Sequence, residues 1–576
     1  MEVAADERPA RQSPRKSRSV VLAAVAATCL VGIASVGLAA RGRAPEALDE
    51  EAGPSAAHVT RFADDGRPDI VLVFMDDVGL NDLWHSTDLP KPTEMSKLVR
   101  DGVELTSYYG QSLCSPARAT LMTGKFAHKI GFSDQQGGVR EVTAYSNFSV
   151  PLGHDMLPQG MKRLGYQTHA IGKWNIGHCN VKYMPWQRGF DTFVGYFTDG
   201  IGYTDHVSDT ANTYTVNDVT RPLYDMWRYE GGRAFNGSEY EGTYTTALFT
   251  ERAEKVLHDA PEDAPLFMWL AYHGMHDNDG VTDADTCAQT GDDDDDAIFM
   301  ERGHLPFARF NFGCGLRAID RGVGQVRTAL DDRARDYVLV VTSDNGGFAC
   351  GYHCQGSNYP YRGAKFYEFE GGLRLPGVVY SPSRVPARRR GAAYDGLMHH
   401  VDWFGTFVHL GGGDVAALTT FDSSFDTMNH WPQIAGSAGA GSAGRETIVF
   451  AASDSTASIR SGAYKYTYNA VNVTWFMPSF NGTIDSDPAR CDGSSPATQL
   501  FDVKEDPREE IDLATDPDYK TVLEDMNALW EDALGHFWVP TFPFASDDAL
   551  EAPQVAFHQA GGYVTHWGCT PSERDE

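Results

Sequence analysis

Two pairs of adjacent oxygen-bearing side chains stand out for the chemistry they allow. Asp76-Asp77 and Asp344-Asn345 supply hard oxygen donors of the kind that hold Ca2+ or Mg2+. Either pair alone also reads as a tight turn, because Asp and Asn stabilise turns through their own backbone. Between them in sequence stands Cys114, within Ser112-Leu113-Cys114-Ser115-Pro116-Ala117-Arg118-Ala119-Thr120-Leu121-Met122-Thr123-Gly124-Lys125. Its core reads C-x-P-x-R and runs straight into a helical pattern. A cysteine at a helix start is a candidate reactive thiol, since its pKa falls there. Lys173, His273 and His276 add further charged or metal-capable side chains.

The elements that must position these residues can be read from the apolar pattern. Residues 69–75, 166–171, 265–271 and 337–341 are short apolar runs, each followed by some of the residues just named. Such runs suit strands buried on both faces of a parallel sheet. Helical patterns fall between them, at 93–102, 156–164, 245–257 and 316–331. Alternation of this kind predicts an α/β fold with a large, mostly parallel sheet. Ligands in such folds bind outside the carboxyl ends of the strands. Four strand ends carrying charged or metal-capable residues therefore predict one site. After residue 445 the pattern shortens and alternates, which predicts a smaller C-terminal part with a short antiparallel sheet and a terminal helix at 519–536.

With these pieces together, residues 68–540 resemble the type I, formylglycine-dependent sulfatases. The match rests on Val78-Gly79 after the paired Asp, the Cys114 stretch, Gly172-Lys173-Trp174, Ser343-Asp344-Asn345-Gly346-Gly347 and Arg362-Gly363-Ala364-Lys365. Glu370-Gly371-Gly372 and Met398-His399-His400-Val401-Asp402-Trp403 extend it, and the last three segments look most like the arylsulfatase B (N-acetylgalactosamine-4-sulfatase) branch. The resemblance implies an alkaline-phosphatase-like α/β fold and one divalent ion, most often Ca2+. It implies metal ligation by Asp76, Asp77, Asp344, Asn345 and the modified Cys114. Arg118 would hold the formylglycine, and Lys173, His276 and Lys365 would surround the sulfate. A maturing enzyme would convert Cys114 to formylglycine. The hydrated aldehyde carries two hydroxyls: one attacks sulfur while the metal lowers its pKa, and the other then loses its proton so that sulfate leaves.

One position departs from the family. Where relatives read Gly-Lys-Trp-His-Leu-Gly, this chain reads Gly172-Lys173-Trp174-Asn175-Ile176-Gly177-His178. Asn175 can hydrogen-bond but cannot take up a proton. Another base, His178 or a histidine from a nearby loop, would have to substitute, or turnover is slowed, or the protein is inactive; His178 itself reads more simply as a loop histidine. Ala117, where many relatives carry Ser, is a smaller departure. The expected activity is hydrolysis of a sulfated sugar or an aryl sulfate. Two alternatives stand beside it: a phosphonate or phosphodiester hydrolase of the same superfamily, and a catalytically impaired, membrane-tethered protein that binds sulfated glycans.

The rest of the chain concerns compartment and partners. Acidic residues number 79 against 48 basic ones among 576, a net charge of −31, which argues against a nucleic-acid partner. The same charge repels heavily sulfated polymers and favours a small or sparsely sulfated ester. Residues 1–18 form a basic tail and 19–40 an uncharged apolar stretch, expected to be a signal anchor or a cleaved signal peptide. Residues 41–67 read as a linker, 68–445 as the catalytic domain and 446–576 as a C-terminal subdomain. The body then lies in the secretory pathway: Golgi, lysosome or cell surface if anchored, secreted if cleaved. Sequons at Asn147, Asn236, Asn472 and Asn481 agree with that compartment. So do the nine cysteines, several expected in disulfides. An insertion at 277–310, with acids at 292–296, reads as a solvated loop.

Overall fold

The computed structural model describes residues 66–133, 140–208, 213–216, 219–276, 307–349, 356–418, 425–437, 444–471, 473–476, 497–538 and 551–569. The apolar stretch 19–40, the acid run 292–296, Asn472 and Asn481 lie outside them. Among the described residues no helix is long and apolar enough to cross a membrane.

A ten-stranded sheet divides the molecule. Its strands are β1 Asp69–Met75, β2 Val103–Leu105, β3 Gln167–Lys173, β4 Thr192–Tyr196, β5 Trp227–Glu230, β6 Arg233–Asn236, β7 Leu266–Ala271, β8 Tyr337–Ser343, β9 Gly377–Tyr380 and β10 Ala392–Tyr394. They lie in the order β10-β2-β9-β8-β1-β7-β3-β4-β5-β6. The run β8-β1-β7-β3-β4 is parallel throughout. The flanking pairs β8-β9, β9-β2, β4-β5 and β5-β6 are antiparallel.

The unbroken apolar composition of β1 follows from its place at the centre. Ile70, Leu72 and Phe74 enter one core while Val71, Val73 and Met75 enter the other. β7 divides its residues the same way, with Phe267, Trp269 and Ala271 opposite Leu266, Met268 and Leu270. Burying each such side chain contributes about 1.5–3 kcal/mol, so both faces must be covered. Helices α2 Cys114–Thr123, α3 Leu157–Arg163 and α6 Asp402–Leu410 cover the first face. Helices α1 Thr93–Asp101, α4 Thr245–Asp259 and α5 Phe307–Asp331 cover the second.

Helix α5 begins at Phe307, earlier than the apolar periodicity predicts. Gly313 and Gly315 lower the intrinsic helix propensity there. Packing overrides it: a Cβ on Gly315 would stand 2.6 Å from Cε of Met275, so the helix must press against the loop after β7.

Residues 446 onward form a four-stranded antiparallel sheet, Thr447–Ala452, Ala457–Ser461, Tyr464–Tyr468 and Thr498–Asp502, packed against α7 Lys520–Leu534. The chain then returns to the large sheet. Phe557 of α8 Glu551–Gln559 and Val564 join the first core. A disulfide ties Cys179 to Cys569 across a sequence separation of 390.

Candidate active site

The carboxyl ends of β1, β3, β7 and β8 converge on one buried cluster. β1 delivers Asp76 and Asp77, β8 delivers Asp344 and Asn345, β3 ends in Lys173, and the loop after β7 carries His273 and His276. Close packing at these ends demands glycine. Gly172 has φ +98, and a Cβ there would stand 1.8 Å from the carbonyl oxygen of Ala271 on the neighbouring strand.

Helix α2 aims its first turn at the cluster. Pro116 sits in that turn, where no intrahelical N–H is lost. Cys114 and Arg118, four residues apart, share one face of the helix. Cys114 Sγ lies 3.4 Å from Asp76 Oδ1 and 4.0 Å from Asp77 Oδ1. Arg118 Nη2 donates to Asp344 Oδ2 at 2.7 Å and lies 3.3 Å from Asp76 Oδ2. Lys173 Nζ donates to Asp76 Oδ2 at 2.7 Å, and Lys365 Nζ to Asp77 Oδ2 at 2.8 Å. Asn345 Nδ2 donates to Asp77 Oδ1 at 2.7 Å. Apart from the half-buried His276, every residue of this cluster is buried.

Burial on this scale reshapes the charges. It raises Asp77 to about 7, against the pull of Lys365 and with the help of Asp76 and Asp344. Burial and Asp76 raise Asp344 as well, against Arg118. Asp76 goes the other way: Lys173, Arg118 and Lys365 together outweigh its burial and hold it low. The Cys114 thiol is pushed well above its ordinary value by burial and by Asp76. A helix start would lower a thiol pKa, but here the surrounding carboxylates and the missing water win. As an unmodified thiol, Cys114 stays protonated and is a poor nucleophile.

The donor set fits a divalent cation. One ligand atom each from Asp76, Asp77, Cys114 and Asp344 lies within 4.8 Å of all the others. Asn345 Oδ1 is buried with no hydrogen-bond partner. Oxygen donors of this kind suit Ca2+ or Mg2+. A second grouping joins Asp76 and Cys114 to His276 within the same 4.8 Å. Burial, Lys365 and Lys173 keep His276 neutral, and its Nδ1 is buried without a partner.

Asn175 and His178 have separate fates. Asn175 sits with φ 53 beside the start of α2, where its carbonyl accepts from Ser115 Oγ at 2.8 Å. Its Nδ2 donates to Val142 O at 2.9 Å, and its Oδ1 has no partner. His178 is packed elsewhere. Its ring stacks on Phe197 at 6.0 Å, meets Trp567 edge-on at 5.7 Å, and donates from Nε2 to Ala144 O at 3.2 Å. It therefore does not stand in for the missing histidine. His273 lies against Tyr203 at 4.2 Å with Nδ1 3.4 Å from Thr245 Oγ1, which makes it a packing residue of the rim.

Two contributors escape sequence reading. Tyr196, paired with Lys173 across β3 and β4, has a buried hydroxyl with no partner and is held protonated by burial and Asp76. Ser115 holds Asn175 and also Glu141 Oε1 at 2.8 Å, fixing the loop beside Cys114. The His399-His400-Asp402 segment braces the site from behind. His400 Nε2 donates to Ser343 O at 3.2 Å, and Asp402, paired with Arg445 Nε at 2.9 Å, accepts from His399 N at 2.9 Å.

A buried acid–base network joins the Lys365 loop to the C-terminal sheet. Lys465 Nζ lies 3.3 Å from Glu370 Oε1 and 2.9 Å from Glu509 Oε1. Gly371 N donates to Arg362 O at 2.6 Å, which ties the helical turn at Glu370 to the segment that leads into Lys365.

Comparison with known proteins agrees with this geometry. The sulfatase family model matches residues 68–413. The chain belongs to the sulfatase family. It is 28% identical over 395 residues to arylsulfatase J of Mus musculus, covering 67% of this chain and 59% of that one. To N-acetylgalactosamine-6-sulfatase of Canis lupus familiaris it is 26% identical over 479 residues, covering 79% and 84%. Among solved structures, Ps i-CgsB aligns with a TM-score of 0.63 at 22% identity, covering 86% of this chain and 99% of that one. Sulfatases are sulfuric ester hydrolases, and the mostly parallel sheet of this sulfatase is the fold those neighbours share.

Proposed function

We propose that this sulfatase cleaves a sulfate ester from a sulfated sugar or aryl sulfate, using a formylglycine made from Cys114 and one divalent cation. The observation that carries the reading is the convergence of Cys114, three carboxylates and three cationic side chains at the carboxyl ends of the central strands. Asp76, Asp77, Asp344 and the Asn345 amide oxygen would hold the cation, most simply Ca2+. Bound there, it supplies Lewis acidity that lowers the pKa of an attacking hydroxyl. A formylglycine at 114 supplies that hydroxyl as a hydrated aldehyde.

The remaining work falls to the chain itself. Lys173, Lys365 and Arg118 lie on the carboxylates now and would meet the sulfuryl oxygens as charge develops there. Arg118, fixed by Asp344 and by Lys173 O at 3.2 Å, orients the side chain at 114. His276 is neutral and next to Cys114, so it can exchange a proton there. It can supply part of the proton transfer that Asn175 cannot perform.

The basic tail and apolar stretch at 1–40 support insertion into the secretory pathway. The Cys179–Cys569 disulfide supports an oxidising lumen. Sulfated glycans are a fitting substrate class: Ps i-CgsB has also been solved with k-i-k-neocarrahexaose. The impaired, glycan-binding alternative draws on Asn175 alone.

The test is mass spectrometry of the tryptic peptide holding Cys114, from natively expressed protein, with a sulfatase assay beside it. Formylglycine and sulfate release are expected. An unmodified thiol overturns the mechanism. Formylglycine without turnover of any sulfate ester favours the impaired alternative, and cleavage of a phosphonate or phosphodiester in its place favours that hydrolase reading.

A further inference from the structure

We infer that Phe366 is a stacking platform for the ring that carries the sulfate, a subsite just outside the cationic pocket. The inference rests on the sulfate-binding role proposed for Lys365 and extends it to the leaving group.

Phe366 is 51% exposed. It follows Lys365 directly, and its ring centroid lies 5.4 Å from Lys365 Nζ. That ammonium is itself 2.8 Å from Asp77. The ring therefore stands at the mouth of the site and not on a remote surface. Phe348 meets it edge-on at 5.7 Å and 80°, which fixes the plane of the ring while leaving much of its surface open to solvent.

The backbone supports a built feature. Phe366 adopts φ +76, a conformation that bulky residues avoid at a cost of order 1–3 kcal/mol. Hydrogen bonds on both sides hold it there. Its N–H donates to Ser112 O at 2.7 Å, and Ser112 Oγ donates to Glu368 Oε1 at 2.6 Å. Ser112 lies two residues before Cys114, so the nucleophile loop and the aromatic platform are fixed to each other.

A sulfate ester anchored by its anion at Lys365 would lay its organic part outward, over this ring. The C–H face of a pyranose and the face of an aryl group both stack on an aromatic surface. A flexible acyclic alcohol gains little from it.

The experiment compares wild type, Phe366→Gly and Phe366→Trp on three probes: p-nitrophenyl sulfate, a methyl galactoside monosulfate and ethyl sulfate. Glycine accepts the positive φ without strain, so it removes the ring and leaves the backbone content. Phe366→Gly should raise KM three- to tenfold for the ring esters with little change for ethyl sulfate, and Phe366→Trp should restore it. A KM effect on the sugar ester alone identifies a sugar platform, and on the nitrophenyl ester alone an aryl platform. Unchanged KM on both ring esters, or an equal rise for ethyl sulfate, overturns the inference. If wild type cleaves none of the three, the sulfatase reading fails separately. Calorimetric titration with p-nitrophenyl sulfate and the galactoside monosulfate then decides: three- to tenfold weaker binding by Phe366→Gly to either supports the platform, and equal or undetectable binding to both refutes it.

Discussion

Asn175 Nδ2 donates to Val142 O at 2.9 Å, so the side chain that replaces the family histidine is anchored to the neighbouring loop. Its carboxamide can orient a hydroxyl through Oδ1 but cannot relay a proton. General acid–base groups contribute about 10²–10⁴-fold where they act. Replacing Asn175 by His should raise the steady-state rate by at least about tenfold. The size of any first-turnover burst should shrink accordingly. Stopped-flow release of nitrophenol measures both, and an unchanged steady-state rate would show that His276 already suffices.

A divalent cation should stabilise the fold through the same carboxylates. At a free concentration of 100 times Kd the gain is about 2.7 kcal/mol. Adding Ca2+ to chelator-treated protein should raise Tm by several degrees, with Asp77→Ala abolishing the shift. Differential scanning calorimetry gives the answer, and an equal shift in Asp77→Ala would place the cation elsewhere.

Lys465 is the cation shared by Glu370 and Glu509 inside the protein. Removing one member of a buried ion pair costs about 3–5 kcal/mol, because the partner charge is left unpaired. Lys465→Met should lose stability on that scale, and a second change, Glu509→Gln, should return part of it. Urea denaturation of the single and double variants measures the coupling. A loss below about 1 kcal/mol would mean that the network tolerates the gap.

Acid should destabilise the protein through His178. Burial lowers its pKa to about 4, below the unfolded value of about 6.5. Between those values the unfolded chain binds more protons, so stability falls as pH drops through that window. The full effect is about 3 kcal/mol near pH 4. His178→Phe keeps the packing on Phe197 and Trp567 but cannot titrate. It should lose about 1 kcal/mol at pH 7 with the bond to Ala144, yet decline less between pH 7 and 4.5. Parallel decline of the two proteins would assign acid sensitivity elsewhere.

The net charge of −31 should keep polymeric polyanions away at low salt. A monosulfated sugar should turn over faster than a heparin-like polymer at 10–20 mM salt, with the gap narrowing as salt rises. Faster turnover of the polymer at low salt would contradict this.

Much of the fold was legible because its central strands are buried on both faces. β1 begins and ends where the apolar run 69–75 does, and the strand ends mark the site. Helix α5 was not legible at its start, since Gly313 and Gly315 argue locally against a helix that Phe312 and Met275 stabilise by packing. At the site, residues that act through type and spacing were visible: paired carboxylates, C-x-P-x-R, lysine after a strand. Residues that act through placement were hidden. Tyr196 is one tyrosine in a short apolar strand, and only the pairing with Lys173 brings it to the cluster. The placement of His178 was hidden too, because proximity in sequence to Asn175 says nothing about which side of the turn its ring takes, and the ring packs on Phe197 and Trp567.

The burial of Cys114, 1% exposed within a helix buried along its whole length, sets an order of events during biosynthesis. An enzyme that oxidises this thiol needs to grip the residues around it, and the finished fold presents none of them. If formylglycine forms at 114 as proposed, that reaction has to precede closure of the sheet. That closure waits for β8, which pairs directly with β1 yet is made more than two hundred residues after Cys114. The clasp between Cys179 and Cys569 waits until residue 569 has been made. At about 5–20 residues per second, the growing chain leaves position 114 accessible for at least on the order of ten seconds. Changes that speed early collapse of the amino-terminal half would shorten that interval and yield well-folded protein that was never activated.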